Sequence, residues 1–220
     1  MISTEKQVGN HVASFHPATK TGAKFLSYLF HPLFIPIYVI AFIVYELGLF
    51  PERDSWGKKL VMIQFLVSYT LLPLITILLM KGLGFVQSIH LKTQKDRILP
   101  YVVCEIFYFW GWYVSKNLHY PKLVIMFTLA VFLACSLGLI LNSYMKISMN
   151  GIAVGTLCAF IVLAGMSASV PLGFFIAIAF LIAGLTCTSR LIDSDHNTVE
   201  IYAGFLTGAF MQLVAWWFVK

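Results

Sequence analysis

Long apolar runs separated by short polar breaks organise this chain from residue 25 to its end. The runs cover roughly Phe25–Phe50, Leu60–Met80, Ile98–Ser115, Leu123–Met145, Gly151–Met166, Pro171–Thr188 and Thr198 to the C-terminus. Most approach the roughly 20 apolar residues that cross a hydrocarbon core, so the pattern predicts an all-α, polytopic transmembrane helix bundle of about six to seven spans. Residues 1–24 are polar and lack the apolar centre of a cleavable signal peptide. They read as an extramembrane tail ahead of a single transmembrane domain, 25–220. Pro32, Pro36 and Pro73 fall inside predicted spans, where neighbouring helices can re-satisfy the backbone that a proline disturbs.

Composition supports the membrane reading. The chain has 220 residues, of which 60% are hydrophobic and 11% charged, with a mean hydropathy of +0.86. Soluble domains carry about 25% charged residues. The net charge of +6 would suggest nucleic acid in a soluble chain. In a membrane chain it points to loops that face anionic headgroups or an anionic substrate. Membrane lipids, not nucleic acid, are therefore the expected partners. Cys104, Cys135, Cys158 and Cys187 lie scattered in apolar runs without metal or disulfide spacing, and read as small buried hydrophobes.

Alternating spans sort the polar breaks onto two faces. One face takes the N-terminal tail, 81–97, 146–150 and 189–197. The other takes 51–59, 116–122, 167–170 and the C-terminus. Every polar cluster with chemical potential lies on the first face. Within the spans, Glu105 reads either as a structural hydrogen-bond partner or as a residue near the site. His31 reads as a packed or interfacial histidine. The small-residue spacings Gly151-xxx-Gly155 and Gly204-xxx-Gly208 read as close helix contacts and nothing more.

The stretch Ser189–Glu200 carries the densest chemistry. His196 and Glu200 are four residues apart, so on a helix they share a face. A carboxylate bound to one ring nitrogen fixes the tautomer and leaves the other nitrogen to attack phosphorus or act as a base. Arg190 offers a planar fork for phosphate oxygens, Ser189 and Ser148 offer hydroxyls, and Lys92 and Arg97 can close a cage from another loop. The helix beginning after His196 adds a favourable N-terminal dipole. Asp193, Asp195 and His196 lack convincing metal spacing, so no metal or cofactor is expected.

This stretch resembles the third signature of the type 2 phosphatidic acid phosphatase (PAP2) superfamily. That signature is Ser-Arg, five residues, His, three residues, Asp; here Ser189-Arg190 precede His196 and Glu200 at the same spacing. The resemblance covers about Lys92 to Gly208. It implies a PAP2-like core, His196 as a nucleophile that becomes phosphohistidine, Glu200 as its orienting carboxylate, and Ser189 and Arg190 as phosphate ligands. Ser148 in Ile147-Ser148-Met149-Asn150 matches the serine of the second signature, and Lys92 the lysine of the first. Leu99 stands where the first signature has arginine, with Arg97 two residues earlier as its substitute. The implied function is metal-independent hydrolysis of a lipid phosphate or diphosphate, of the phosphatidic acid, phosphatidylglycerophosphate or undecaprenyl diphosphate type. The alternative is a non-catalytic lipid-phosphate binder or transporter.

Asn150 departs from the pattern where the family has its general-acid histidine. An amide cannot protonate a leaving alkoxide, and general acid catalysis is worth about 10²–10⁴-fold. Three readings stand open: a substrate with a stable leaving group, a crippled enzyme that only binds, or a deliberate histidine-to-asparagine replacement that traps a bound state. A positive-inside count assigns the site face to the cytoplasm, but that bias disappears once the expected phosphate ligands are left out. The resemblance implies a site on the outer face of a bacterial inner membrane.

Overall fold

The computed structural model describes residues 16–85, 94–167, 171–193 and 196–220. Helix α1 (Pro17–Leu29) ends in a turn at 30–34. Helix α2 (Ile35–Ala41) continues as a π-helical segment, Phe42–Glu46. Helices α3 (Ser55–Leu66) and α4 (Leu72–Gly82) run together through a second π-helical segment, Val67–Leu71. There follow α5 (Gln94–Asn117), α6 (Lys122–Asn142), α7 (Met149–Ser167), α8 (Gly173–Ile192) and α9 (Thr198–Val219). The described residues contain no strand.

Five of these helical stretches are long and apolar enough to cross a membrane: Ser55–Gly82, α6, α7, α8 and α9. Large apolar side chains stay exposed along them, Leu60, Ile63, Leu79, Leu181, Leu206 and Phe210 among them. This is the surface of a membrane protein, whose outward faces meet lipid tails instead of water. The count is five, against the expected six to seven, and two stretches account for the difference. The run Phe25–Phe50 is broken, because Pro32 and Pro36 cannot donate backbone bonds and they restrict the residues before them. The remainder is α1, which runs through the 24/25 boundary, and a short apolar helix, Ile35–Glu46. Helix α5 is long enough, but its tyrosines, tryptophans and Glu105 lower its hydropathy.

Helix α7 is the most buried of the five and packs chiefly against α9. The two glycine spacings are each other's partners in this crossing. A Cβ on Gly151 would lie 2.8 Å from the Ile201 carbonyl oxygen, and one on Gly204 would lie 2.6 Å from that of Ser148. Likewise Gly155 faces the Phe205 carbonyl and Gly208 the Ile152 carbonyl, closer than any Cβ could fit. Backbone thus meets backbone along two turns, which fixes the relative height of α7 and α9. On the other side, Glu105 of α5 accepts a hydrogen bond from Ser136 Oγ of α6 at 2.8 Å. That gives the carboxylate a structural partner between two helices.

Candidate functional site

The α7–α9 crossing places the two N-terminal ends side by side. The Ser148 N–H donates to the Glu200 carbonyl oxygen at 3.2 Å, so the start of α7 is tied to the first turn of α9. Asn197 caps α9 by accepting from the Glu200 N–H at 2.8 Å, while Glu200 Oε2 accepts from the Asn197 N–H at 3.2 Å. This reciprocal capping box needs a side chain of glutamate or glutamine length, because it must reach back over three residues. The same Oε2 lies 2.8 Å from His196 Nδ1. Glu200 therefore orients the imidazole and caps the helix at once, which gives a physical reason for the length of the glutamate side chain at this position.

The tautomer of His196 follows from its neighbours. Nδ1 faces two acceptors, Glu200 Oε2 and the Lys146 carbonyl oxygen at 3.1 Å, so it carries the proton. Nε2 faces a donor, Arg97 Nη2, at 3.3 Å, so it presents its lone pair. Burial, reinforced by the Arg97 guanidinium and by Arg190 and Lys146, lowers the His196 pKa to about 4 against the pull of its Glu200 bond. The ring is neutral at pH 7, with Nε2 unprotonated. Arg97 is itself buried in the first turns of α5, where Nη1 donates to the Ile147 carbonyl at 2.8 Å. Arg97, Arg190 and Lys146 thus all disfavour a proton on His196, while Glu200 favours one.

Ser189 and Arg190 lie in the last turn of α8, not in a loop. The Ser189 hydroxyl donates to the Leu185 carbonyl at 2.7 Å, as helical serines do, so its proton is spent within the helix. Arg190 reaches the site at long range, acting on His196, and forms a 3.8 Å ion pair with Asp193. Ser148 is fully buried, and its Oγ accepts from the Gly151 N–H at 3.2 Å, which makes it a cap for α7. Lys92 and Asp195 lie outside the described residues. Among the described residues no group of three or more His, Cys, Asp or Glu is placed to hold a metal.

Asn150 is engaged with the end of α1. Its Nδ2 lies 3.3 Å from the Ser27 carbonyl oxygen and 3.4 Å from that of Phe30. Both partners are acceptors, which identifies the facing atom as the amide nitrogen. The side chain bridges carbonyls that the end of α1 leaves without helical donors. That turn carries His31, whose Nδ1 accepts from the Leu33 N–H at 3.3 Å. Sequence spacing gave no sign of this arrangement, since 120 residues separate Phe30 from Asn150.

An apolar cavity of about 120 Å³ opens beside His31 and runs between α5, α6 and α7. Its lining includes Pro100, Tyr101, Tyr108, Met149 and Thr156. Tyr108 is 11 residues beyond Arg97 on α5, so the cavity reaches about 16 Å from the level of the guanidinium into the bundle. Comparison with protein-family models, curated proteins and solved structures finds no match to this chain.

Proposed function

We propose that this chain is an integral membrane phosphatase acting on a lipid phosphate or diphosphate. The observation that supports it most is the fixed His196 tautomer, with Nδ1–H on Glu200 and the Nε2 lone pair beside Arg97. In this reading an anionic phosphoryl group docks between Arg97 and Arg190. Nε2 attacks phosphorus, the N–P bond forms as the P–O bond to the leaving group breaks, and Glu200 stabilises the charge that develops on the ring. Water then cleaves the phosphohistidine and returns neutral His196. The apolar cavity supplies room for part of a lipid chain beside the headgroup.

Asn150 favours diphosphates over alkyl monoesters. Its amide is committed to α1 carbonyls, and phosphate leaves from an anhydride without the proton that an alkoxide requires. The same observation favours a second reading, a lipid-phosphate binder that does not turn over. Purified protein in lipid nanodiscs separates the two. Phosphatase activity means phosphate release from a prenyl diphosphate that is abolished by His196→Ala. Binding of the same lipid with no release by the unaltered chain identifies a binder. In the phosphatase reading the site faces outward from a bacterial inner membrane. A cysteine replacing Tyr144, which is exposed at the site end of α6, would then react with a membrane-impermeant maleimide in intact cells, and failure to react would reverse the orientation.

A further inference from the structure

Helix α1 has three unlike sides. Its 13 residues reach about 20 Å, too short to cross a membrane. At helical spacing Ala23 and Ser27 fall on one side, and both are buried. The helix packs chiefly against α8, which is long and apolar enough to span, so this is the side that meets α8. Phe25, Leu26 and Leu29 form an apolar side, on which Phe25 is 66% and Leu29 41% exposed. Lys20 and Lys24, one turn apart and both exposed, lie on the far side of the helix from Leu26 and Leu29. Helix α1 contains no acidic residue, and among the described residues no ion pair engages either lysine.

The level of α1 is fixed at its end. The Ser27 and Phe30 carbonyls meet Asn150, the second residue of α7, so α1 finishes where that spanning helix begins. A path from there down into hydrocarbon would carry Lys20 and Lys24 into lipid with no counter-charge, at high cost. A path up into water would leave Phe25 and Leu29 uncovered. An in-plane path suits every side: α8 beside the helix, acyl tails under Phe25, Leu26 and Leu29, and headgroups around the lysines. Tyr28, 66% exposed, then stands at the boundary of the two layers, where tyrosine is enriched.

We propose that α1 is an in-plane anchor whose partner is the adjoining membrane leaflet, recognised through the phosphates of anionic phospholipids. Charge complementarity selects this occupant. Two ammonium groups without a carboxylate sit on a helix whose apolar side continues the lipid-facing surface of the spans. The anchor draws part of the polar stretch ahead of residue 25 onto the membrane surface. It also links that surface to the bundle, because Asn150 fastens the end of α1 to the start of α7. The assignment is independent of the phosphatase reading.

Hydrogen exchange of the full chain in nanodiscs tests it, with phosphatidylglycerol and phosphatidylcholine as the two lipids. The α1 amides should exchange about 5- to 30-fold more slowly in the anionic lipid, the value of one to two lysines at an anionic surface. Lys20→Gln combined with Lys24→Gln should abolish that difference. Phe25→Ser combined with Leu29→Ser should speed α1 exchange in both lipids. Peptides from α6 and α7 should exchange alike in all these chains, which shows that the bundle stays folded. Should the serine pair unfold the bundle, the lysine pair, at exposed positions, carries the decision. Equal α1 exchange in the two lipids by the unaltered chain overturns the proposal. So does a lipid difference that survives loss of both lysines. Slow exchange that ignores the serine pair would assign the cover to protein instead of lipid, and overturns it too. Inorganic phosphate added to neutral nanodiscs should change nothing; an equal slowing there would make the lysines a site for free anion and not for a leaflet.

Discussion

Arg97 Nη2 stands 3.3 Å from His196 Nε2, a guanidinium facing the lone pair that would attack phosphorus. The other nitrogen of the same fork holds the Ile147 carbonyl. This single side chain therefore fixes the distance between the His196 ring and the start of α7. Arg97→Lys keeps the charge but cannot hold both contacts in one plane. The expected outcome is a fall of about 10- to 100-fold in vanadate affinity and in phosphate release, the value of a charge-assisted contact. Titration of the variant beside Arg97→Ala checks this, with the lysine variant falling much closer to alanine than to arginine.

Glu200 serves two structures at once, and its substitutions separate them. Glu200→Asp keeps the negative charge but is too short to close the capping box, so thermal stability should drop by about 1 kcal/mol. Glu200→Gln retains the length but loses the charge on Nδ1–H, and phosphate release should fall by about 10²-fold or more with little change in melting. Equal effects of the two variants on both measurements would contradict the division.

Acid sensitivity follows from His196. Its folded pKa of about 4 lies below the usual 6.5, so the neutral ring is the form that folding favours. That contribution to stability is complete above about 6.5 and is lost progressively as pH falls towards 4. The acidic limb of kcat/KM should fall near pH 4, since only the neutral ring attacks. Arg97→Ala removes a charge that depresses this pKa, so the limb should move to higher pH. A limb that stays in place would show that Arg97 does not act on the free enzyme's histidine.

The glycine crossing makes a prediction about stability alone. Gly155→Leu and Gly208→Val drive side chains into the opposing backbone and should cost about 1–3 kcal/mol or prevent folding. Gly184→Ala on α8 meets nothing within 4 Å and should be neutral or slightly stabilising. Melting curves in detergent provide the comparison.

Asn150→Asp removes both amide donors and sets a carboxylate against two carbonyls. It should destabilise the chain by about 1–3 kcal/mol, the cost of unsatisfied buried groups. Melting curves in detergent beside the unaltered chain check the loss.

The pairing of His196 with Glu200 was legible before the structure because the two residues are close in sequence. His196 and Glu200 share one helix turn, and the predicted pair is bonded at 2.8 Å. The substitute role given to Arg97 depended on a shift in the start of α5, and the side chain does reach His196. The role of Ser189 was not legible, because spacing does not reveal that its hydroxyl is spent on Leu185. Nor was the tie between Asn150 and the end of α1, because it joins residues about 120 apart in the chain and has no local signature.

The sequence by itself determined that this is a helical membrane protein and that one end of it is chemically dense. Apolar runs in a hydrocarbon setting must close their backbone bonds internally, and a short motif carries its own geometry along one helix turn. Only the tertiary structure decided which of the runs are full-length spans, that the two glycine spacings lock together, and that Asn150 braces α1. These depend on contacts between residues far apart in the chain, where backbone approach and hydrogen-bond pairing are set by packing and not by local pattern.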